Sequence, residues 1–219
     1  MPGKALAIFD FDGTMISGDS IIRYVAYAMQ LGYEPWYKLP VRLLQGIAAV
    51  SGLISAARGK SLALFFLSRM TKEQQEAFNR DFCRLHLLPR LYPEALRRMR
   101  KHREAGCHVL LVSASPDAYI AYLKDGLPVD TILASPTDDK GRVSSSTRGQ
   151  EKARRVKAWA KQQHFEVDWK NSFAYGNSFG DLPVMRLCGQ AVCVNPSRRM
   201  RGAAPELPVE HWALEQKTR

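Results

Sequence analysis

Cysteine is scarce and carries no pattern: the chain has four in 219 residues, Cys83, Cys107, Cys188 and Cys193, and no Cys-x-x-Cys. No disulfide framework is implied, and three of the four fall in apolar, strand- or helix-like surroundings that read as reduced core positions. Apolar runs stay short of the ~20 residues that a membrane-spanning helix needs. No repeat or low-complexity segment interrupts the chain, and disorder is expected only at the basic C-terminal tail. The opening MPGKALAIFDFD has too few apolar residues before Asp10 for a secretory signal, so a cytoplasmic location is expected.

Acid is the scarcer charge, with 21 Asp and Glu against 32 Lys and Arg, a formal charge of +11. Such a balance raises the question of anionic partners. The cations are scattered through Arg97–Arg103, Arg154–Lys157 and Arg198–Arg201 without a recognisable nucleic-acid module, so no nucleic-acid partner is expected. A solvated basic surface is the first reading, ahead of phosphate-rich substrates or an anionic membrane surface. The 46% hydrophobic and 24% charged content suits a soluble globular protein, long enough for one domain with a sizeable insertion.

What is present begins at Ala5–Phe9, a continuously apolar run that ends in Asp10, Phe11, Asp12, Gly13 and Thr14. Uninterrupted apolar runs mark strands buried on both faces, as in parallel α/β sheets. In such sheets ligands bind outside the carboxyl ends of the strands, where both acids fall. Further strands are expected at Cys107–Val112, Val129–Leu133, Asn171–Tyr175 and Gln190–Asn195. Helices are expected at Pro93–Arg103, from about Pro116, and at Gly149–Gln163.

Between the first and second strands the chain reads as helix throughout. Asp19 and Ser20 can cap a helix that Gly32 stops, and Thr71 with Glu73 and Gln74 opens another. This all-helical block reads as an inserted cap, with residues 17–90 as cap and residues 1–16 and 91–219 as α/β core. Leu43–Ala57 carries no charge and lies between Arg42 and Arg58. It reads first as a buried cap helix, and second as an interfacial surface for anionic lipid.

The Asp10-Phe11-Asp12-Gly13-Thr14 sequence resembles motif I of the haloacid dehalogenase-like superfamily, most of whose members are magnesium-dependent phosphatases. LLVSASP, with Ser113 and Ala114, resembles motif II; GQEKARRV, with Lys152, resembles motif III; and GNSFGDLP, with Asn177 and Asp181, resembles motif IV. The helical insertion resembles that of the branch containing phosphoserine phosphatases, subfamily IB. The resemblance implies a Rossmann-like parallel α/β core with a helical cap, and hydrolysis of a small-molecule phosphate ester.

It implies Asp10 as nucleophile and Asp12 as acid and base. Mg2+ would be held by Asp10, the Asp12 carbonyl and Asn177. Ser113 and the amides beside it would cradle the phosphate, and Lys152 would neutralise charge. Asp181 would bind metal through water or orient its loop. Asn177 stands where the commoner motif has Asp; its carbonyl still suits a hard cation.

Lys152 rests on the motif, since Arg148, Arg154 and Arg155 are near it. Asp19 lies where phosphoserine phosphatases carry a Glu for the substrate ammonium, and capping the first cap helix is an equal reading. Two other functions stay open: a phosphatase acting on a lipid head group at a membrane surface, and a non-catalytic anion-binding protein. Oligomeric state is not legible.

Overall fold

The computed structural model describes residues 3–214. Six strands form one sheet: β1 Leu6–Phe9, β2 His108–Pro116, β3 Thr131–Ser135, β4 Phe173–Gly176, β5 Gln190–Val194 and β6 Val209–Glu210. All pairings are parallel, in the order β3-β2-β1-β4-β5-β6. The chain leaves β1 toward one edge, then returns to its other side through β4. That reversal makes the carboxyl end of β1 the switch point of the sheet, where ligands bind in folds of this kind.

Apolar residues of the central strands alternate between two packed layers. Leu6, Ile8, Leu110 and Val112 meet Ala153 and Val156 of helix α7 (Gln150–Gln162), while Ala7, Phe9, Val109 and Leu111 face Ala95 and Met99 of helix α5 (Pro93–Glu104). Because both faces are covered, β1 is buried at every position and needs no polar alternation.

Four α-helices lie between β1 and α5: α1 Ser20–Gln30, α2 Leu39–Val50, α3 Ala56–Ala63 and α4 Lys72–Phe82. The Asp19 carboxylate caps α1 by accepting the Ile21 N–H, and Thr71 with Gln74 forms a capping box on α4. Their apolar sides converge on Tyr24, whose ring lies 4.5 to 5.5 Å from those of Phe66, Phe78, Phe82 and Tyr119. Tyr119 belongs to the short helix α6 (Asp117–Ile120) after β2, so one apolar cluster runs from the inserted helices into the sheet layer. The insertion starts and ends at one place: Ile16 bridges Leu91, and Tyr92 N–H donates to the Met15 carbonyl at 2.8 Å.

Several elements differ from expectation. The helix expected from Pro116 is only the four residues of α6, followed by a 3-10 turn over Ala121–Asp125. Two short helices complete the fold, α8 (Leu182–Met185) and α9 (Arg198–Ala203). Toward the C-terminus the chain adds the short strand β6. The Asn195 side chain exchanges hydrogen bonds of 2.8 and 3.1 Å with the backbone of buried Trp212, which holds β6 against β5. The expectation for the tail beyond residue 214 lies outside the described residues.

The uncharged Leu43–Ala57 stretch divides into α2, a turn and the start of α3, and α2 is not buried. Its interior position is taken by Arg42, which ion-pairs at 2.6 Å with Glu34, a fully buried carboxylate, and also donates to the Leu62 carbonyl. Breaking a buried pair leaves an uncompensated charge, so Arg42→Met is expected to destabilise the fold by about 3–5 kcal/mol. Urea unfolding at neutral pH checks this, and Glu34→Gln in the same background is expected to recover most of the loss.

Candidate active site

Both acids follow β1 at that switch point. Asp10 N–H donates to the Tyr175 carbonyl at the end of β4, which fixes the turn where β1 leaves the sheet. Gly13 has φ of +79°, and a Cβ there would lie 2.0 Å from the Asn177 amide nitrogen. Only glycine lets the two loops approach so closely. Motif I and the Asn177 loop therefore share one wall.

Lys152 emerges from the first turn of α7 and is nearly fully buried. Its Nζ donates to Asp10 Oδ1 at 2.5 Å and to Asp181 Oδ1 at 2.6 Å. The helix is aimed by Gly149, whose N–H donates to the Gly180 carbonyl at 2.9 Å, tying α7 to the Asp181 loop. Burial pulls the ammonium pKa down, but the two carboxylates outweigh it and hold Lys152 above the usual lysine range. Arg154 and Arg155 pair instead with Glu151.

Asp181 is committed to protein partners on both oxygens: Lys152 on one, and the Ser178 N–H and hydroxyl at 2.9 and 2.7 Å on the other. Burial pushes its carboxyl up, yet Lys152 and these donors keep it below the ordinary carboxylate range. Asp10 is raised to about 7 by burial and by Asp181, with Lys152 pulling against them. Its second oxygen accepts the Thr14 hydroxyl at 2.9 Å.

Asp12 is held by donors absent from the sequence-level set. Ser20 N–H donates to Oδ1 at 2.6 Å and the Ser115 hydroxyl to Oδ2 at 2.5 Å, and the Ser20 hydroxyl links Ser115 to Tyr119. Burial, then the charge of Asp19, raises Asp12 to about 6, and the two serines oppose that rise. A carboxyl titrating there can hold and release a proton near neutrality. Losing one donor to a charged group costs about 10- to 100-fold. Ser115→Ala is expected to lower the kcat of a reaction that uses this carboxyl as acid or base by that amount with KM little changed, checked by steady-state kinetics.

Ser113 is fully buried, and its hydroxyl accepts the Ser115 N–H at 3.0 Å. The Ala114 carbonyl accepts from Ser135 and from Lys60 of α3, and Lys60 also donates to the Ser146 hydroxyl at 2.7 Å. Burial lowers Lys60 to about 8. Asp19 is exposed and caps α1, so its carboxylate contributes charge rather than contact to Asp12. Neither Lys60 nor Ser115 was legible in the sequence, because their place in the site depends on packing α3 and the end of β2 against the motif I loop.

No group of three His, Cys, Asp or Glu side chains arranged to hold a metal occurs among the described residues. The site nonetheless offers hard oxygen donors. Asp10 is anionic when ionised, and the Asp12 carbonyl and the Asn177 side-chain amide take part in no hydrogen bond among the described residues. Asp10 and Asp181 meet Lys152 and Asp12 adds a third carboxyl nearby, so acids outnumber the one ammonium beside those oxygens. This donor chemistry fits Mg2+. Asp181 already has both oxygens on protein donors, Lys152 on one and Ser178 on the other.

Residues 7–186 match the haloacid dehalogenase-like hydrolase family. The chain belongs to this family of hydrolases. It is 24% identical over 212 residues to a histidinol-phosphatase of Neisseria meningitidis serogroup C (strain 8013), covering 93% of this chain and 96% of that protein. A crystal structure of a protein of unknown function from Bordetella pertussis Tohama I superposes with a TM-score of 0.84 at 21% identity, covering 94% and 98% of the two chains. A phosphoserine phosphatase solved as a phospho-aspartyl intermediate analogue superposes with a TM-score of 0.64 at 16% identity, covering 95% and 94%. These structural likenesses share the fold.

Proposed function

We propose that the chain is a Mg2+-dependent phosphomonoesterase that works through an aspartyl-phosphate on Asp10. Its substrate is a small phosphate ester of an amino acid or amino alcohol. The observation that carries the reading is the buried Lys152 bridging Asp10 and Asp181 at 2.5 and 2.6 Å, beside a second acid, Asp12, held by two donors. The substrate class is supported by the name of the histidinol-phosphatase relative, similar along nearly its whole length.

In this mechanism Asp10 attacks phosphorus while Asp12 protonates the leaving alcohol. Asp12 then takes a proton from the water that hydrolyses the acyl phosphate, which divides one difficult displacement into two. Lys152 holds Asp10 in line and balances charge as the dianion enters. Asp10, the Asp12 carbonyl and Asn177 would hold Mg2+, which would supply charge stabilisation at the phosphoryl group. Ser113 and the adjoining backbone would line the phosphate cradle, and Asp19 would set the charge facing the substrate's cationic part.

Residues 17–90 would act as the cap over the core of residues 1–16 and 91–219. The meeting of Ile16 with Leu91 supports a single entry and exit point for that insertion. Closure of the cap would exclude water from the acyl phosphate. A cytoplasmic site of action accords with a small-metabolite substrate.

A second reading, a phospholipid head-group ester as substrate, is favoured by one observation, the exposed apolar side of α2. Phosphate release from a panel of phosphoserine, histidinol phosphate and lysophosphatidate, with Mg2+ and with chelator, tests both. Chelator-sensitive release from a soluble amino compound is the expected result. Release confined to lysophosphatidate would favour the second reading, and chelator-insensitive release would overturn the metal assignment.

A further inference from the structure

Helix α2 is built inside out. Its single charged side chain, Arg42, turns inward to the fully buried Glu34, with its own side chain only 12% exposed. Trp36, Tyr37, Leu39, Leu43, Leu44 and Ile47 face solvent at 48% to 79% exposure. A surface helix of a globular protein has the opposite arrangement, with apolar residues toward the core and charge toward water. The contact with α3 does not use this outer side. It is made on the other side, where a Cβ on Gly59 would lie 2.7 Å from the Ala49 methyl.

The charge of the segment that carries the patch is of one sign. From Pro35 to Lys72 the sequence has no Asp or Glu, and its cations are Lys38, Arg42, Arg58, Lys60, Arg69 and Lys72. Arg42 and Lys60 are used internally, while Arg58 and Arg69 are exposed. A second copy docked on this side would bring two acid-free basic segments together, on chains that each carry a formal +11. An anionic surface meets the same cations favourably.

The helix has 12 residues, and no helix among the described residues is long and apolar enough to cross a membrane. A short helix with exposed leucines, an aromatic pair at its start and flanking cations suits binding in the plane of the lipid head groups. We propose that the outer side of α2, with Trp36 and Tyr37, is a peripheral docking surface for anionic phospholipid membranes. The docking is independent of hydrolysis and adds a location to the enzyme whatever its substrate.

Co-sedimentation of the full chain with vesicles tests it, using phosphatidylcholine alone and phosphatidylcholine with roughly a quarter phosphatidylglycerol. The expected result is association with the anionic vesicles, falling as salt is raised. The double variant Leu44→Glu, Ile47→Glu alters only exposed positions, so it is expected to keep the wild-type circular dichroism spectrum and melting temperature. It is expected to lower the partition coefficient by about tenfold or more, since each buried leucine or isoleucine carries at least that much. No binding to anionic vesicles, or equal binding by the folded double variant, would overturn the proposal. So would a wild-type dimer in sedimentation velocity that the double variant converts to monomer, which would give this side to a second copy.

Discussion

Asp10→Asn is expected to lose at least about 10⁴-fold in phosphate release, the scale seen when a covalent nucleophile is removed. The substitution keeps the shape of the side chain and the Thr14 contact at 2.9 Å, and Lys152 retains Asp181 as a partner. The folded state should therefore persist, with a near-ultraviolet circular dichroism spectrum like that of the wild type. Mass spectrometry of the wild type quenched during turnover should find a phosphate on a peptide containing Asp10, absent from the variant. Retained turnover in a folded Asp10→Asn protein would remove the aspartyl-phosphate route, and Asp12 would become the acid to examine.

The second large effect is on stability. Lys152→Met removes the only basic side chain that ion-pairs with Asp10 or Asp181 among the described residues, leaving both carboxylates buried. Removing one partner of a buried pair costs about 3–5 kcal/mol, and the loss is expected to appear in urea unfolding carried out in chelator. The sign of its pH dependence follows from the charges. Without the ammonium, both carboxyls have folded-state pKa values above their unfolded ones, so the folded variant prefers them protonated. Its deficit should shrink toward acid and grow as pH rises above the ordinary carboxylate range.

Lys152→Met with Asp181→Asn should recover stability without activity, because one buried charge is removed while the cation facing the substrate stays absent. A Lys152→Met protein as stable as wild type would mean that water reaches the site and replaces the ammonium. The two substitutions thus separate two jobs that one salt bridge would combine: the chemistry proposed for Asp10, and the burial of its carboxylate against Lys152.

Much of the site lies in short stretches where local pattern and chemistry coincide. The apolar run ending in Asp10 is readable because a strand covered on both faces cannot alternate. Asp10, Asp12, Lys152, Asn177 and Asp181 are readable because each stands at a strand end or a helix start within a motif. The capping of α1 by Asp19 and of α4 by Thr71 is also local, set by residues two or three positions apart. Ser115 and Lys60 lie outside this reach. Ser115 is 103 residues from Asp12, and Lys60 is 54 residues from Ala114, so neither pairing leaves a periodic or short-range signal.

Helix α2 marks the boundary between the two kinds of information. An uncharged stretch can be a buried helix or a surface one, because hydrophobicity along the chain does not say which side meets the core. The amino-acid sequence by itself determined the parallel α/β core, the helical insertion after β1 and the acids at the carboxyl end of β1, since strand burial, capping and turn chemistry act over a few residues. Only the tertiary structure decided that Lys152 joins Asp10 to Asp181, that Ser115 and Ser20 hold Asp12, and that Arg42 turns inward while the leucines of α2 face water. Those choices depend on which distant charges are buried together, and the energy of burying a charge is set by its partners in space.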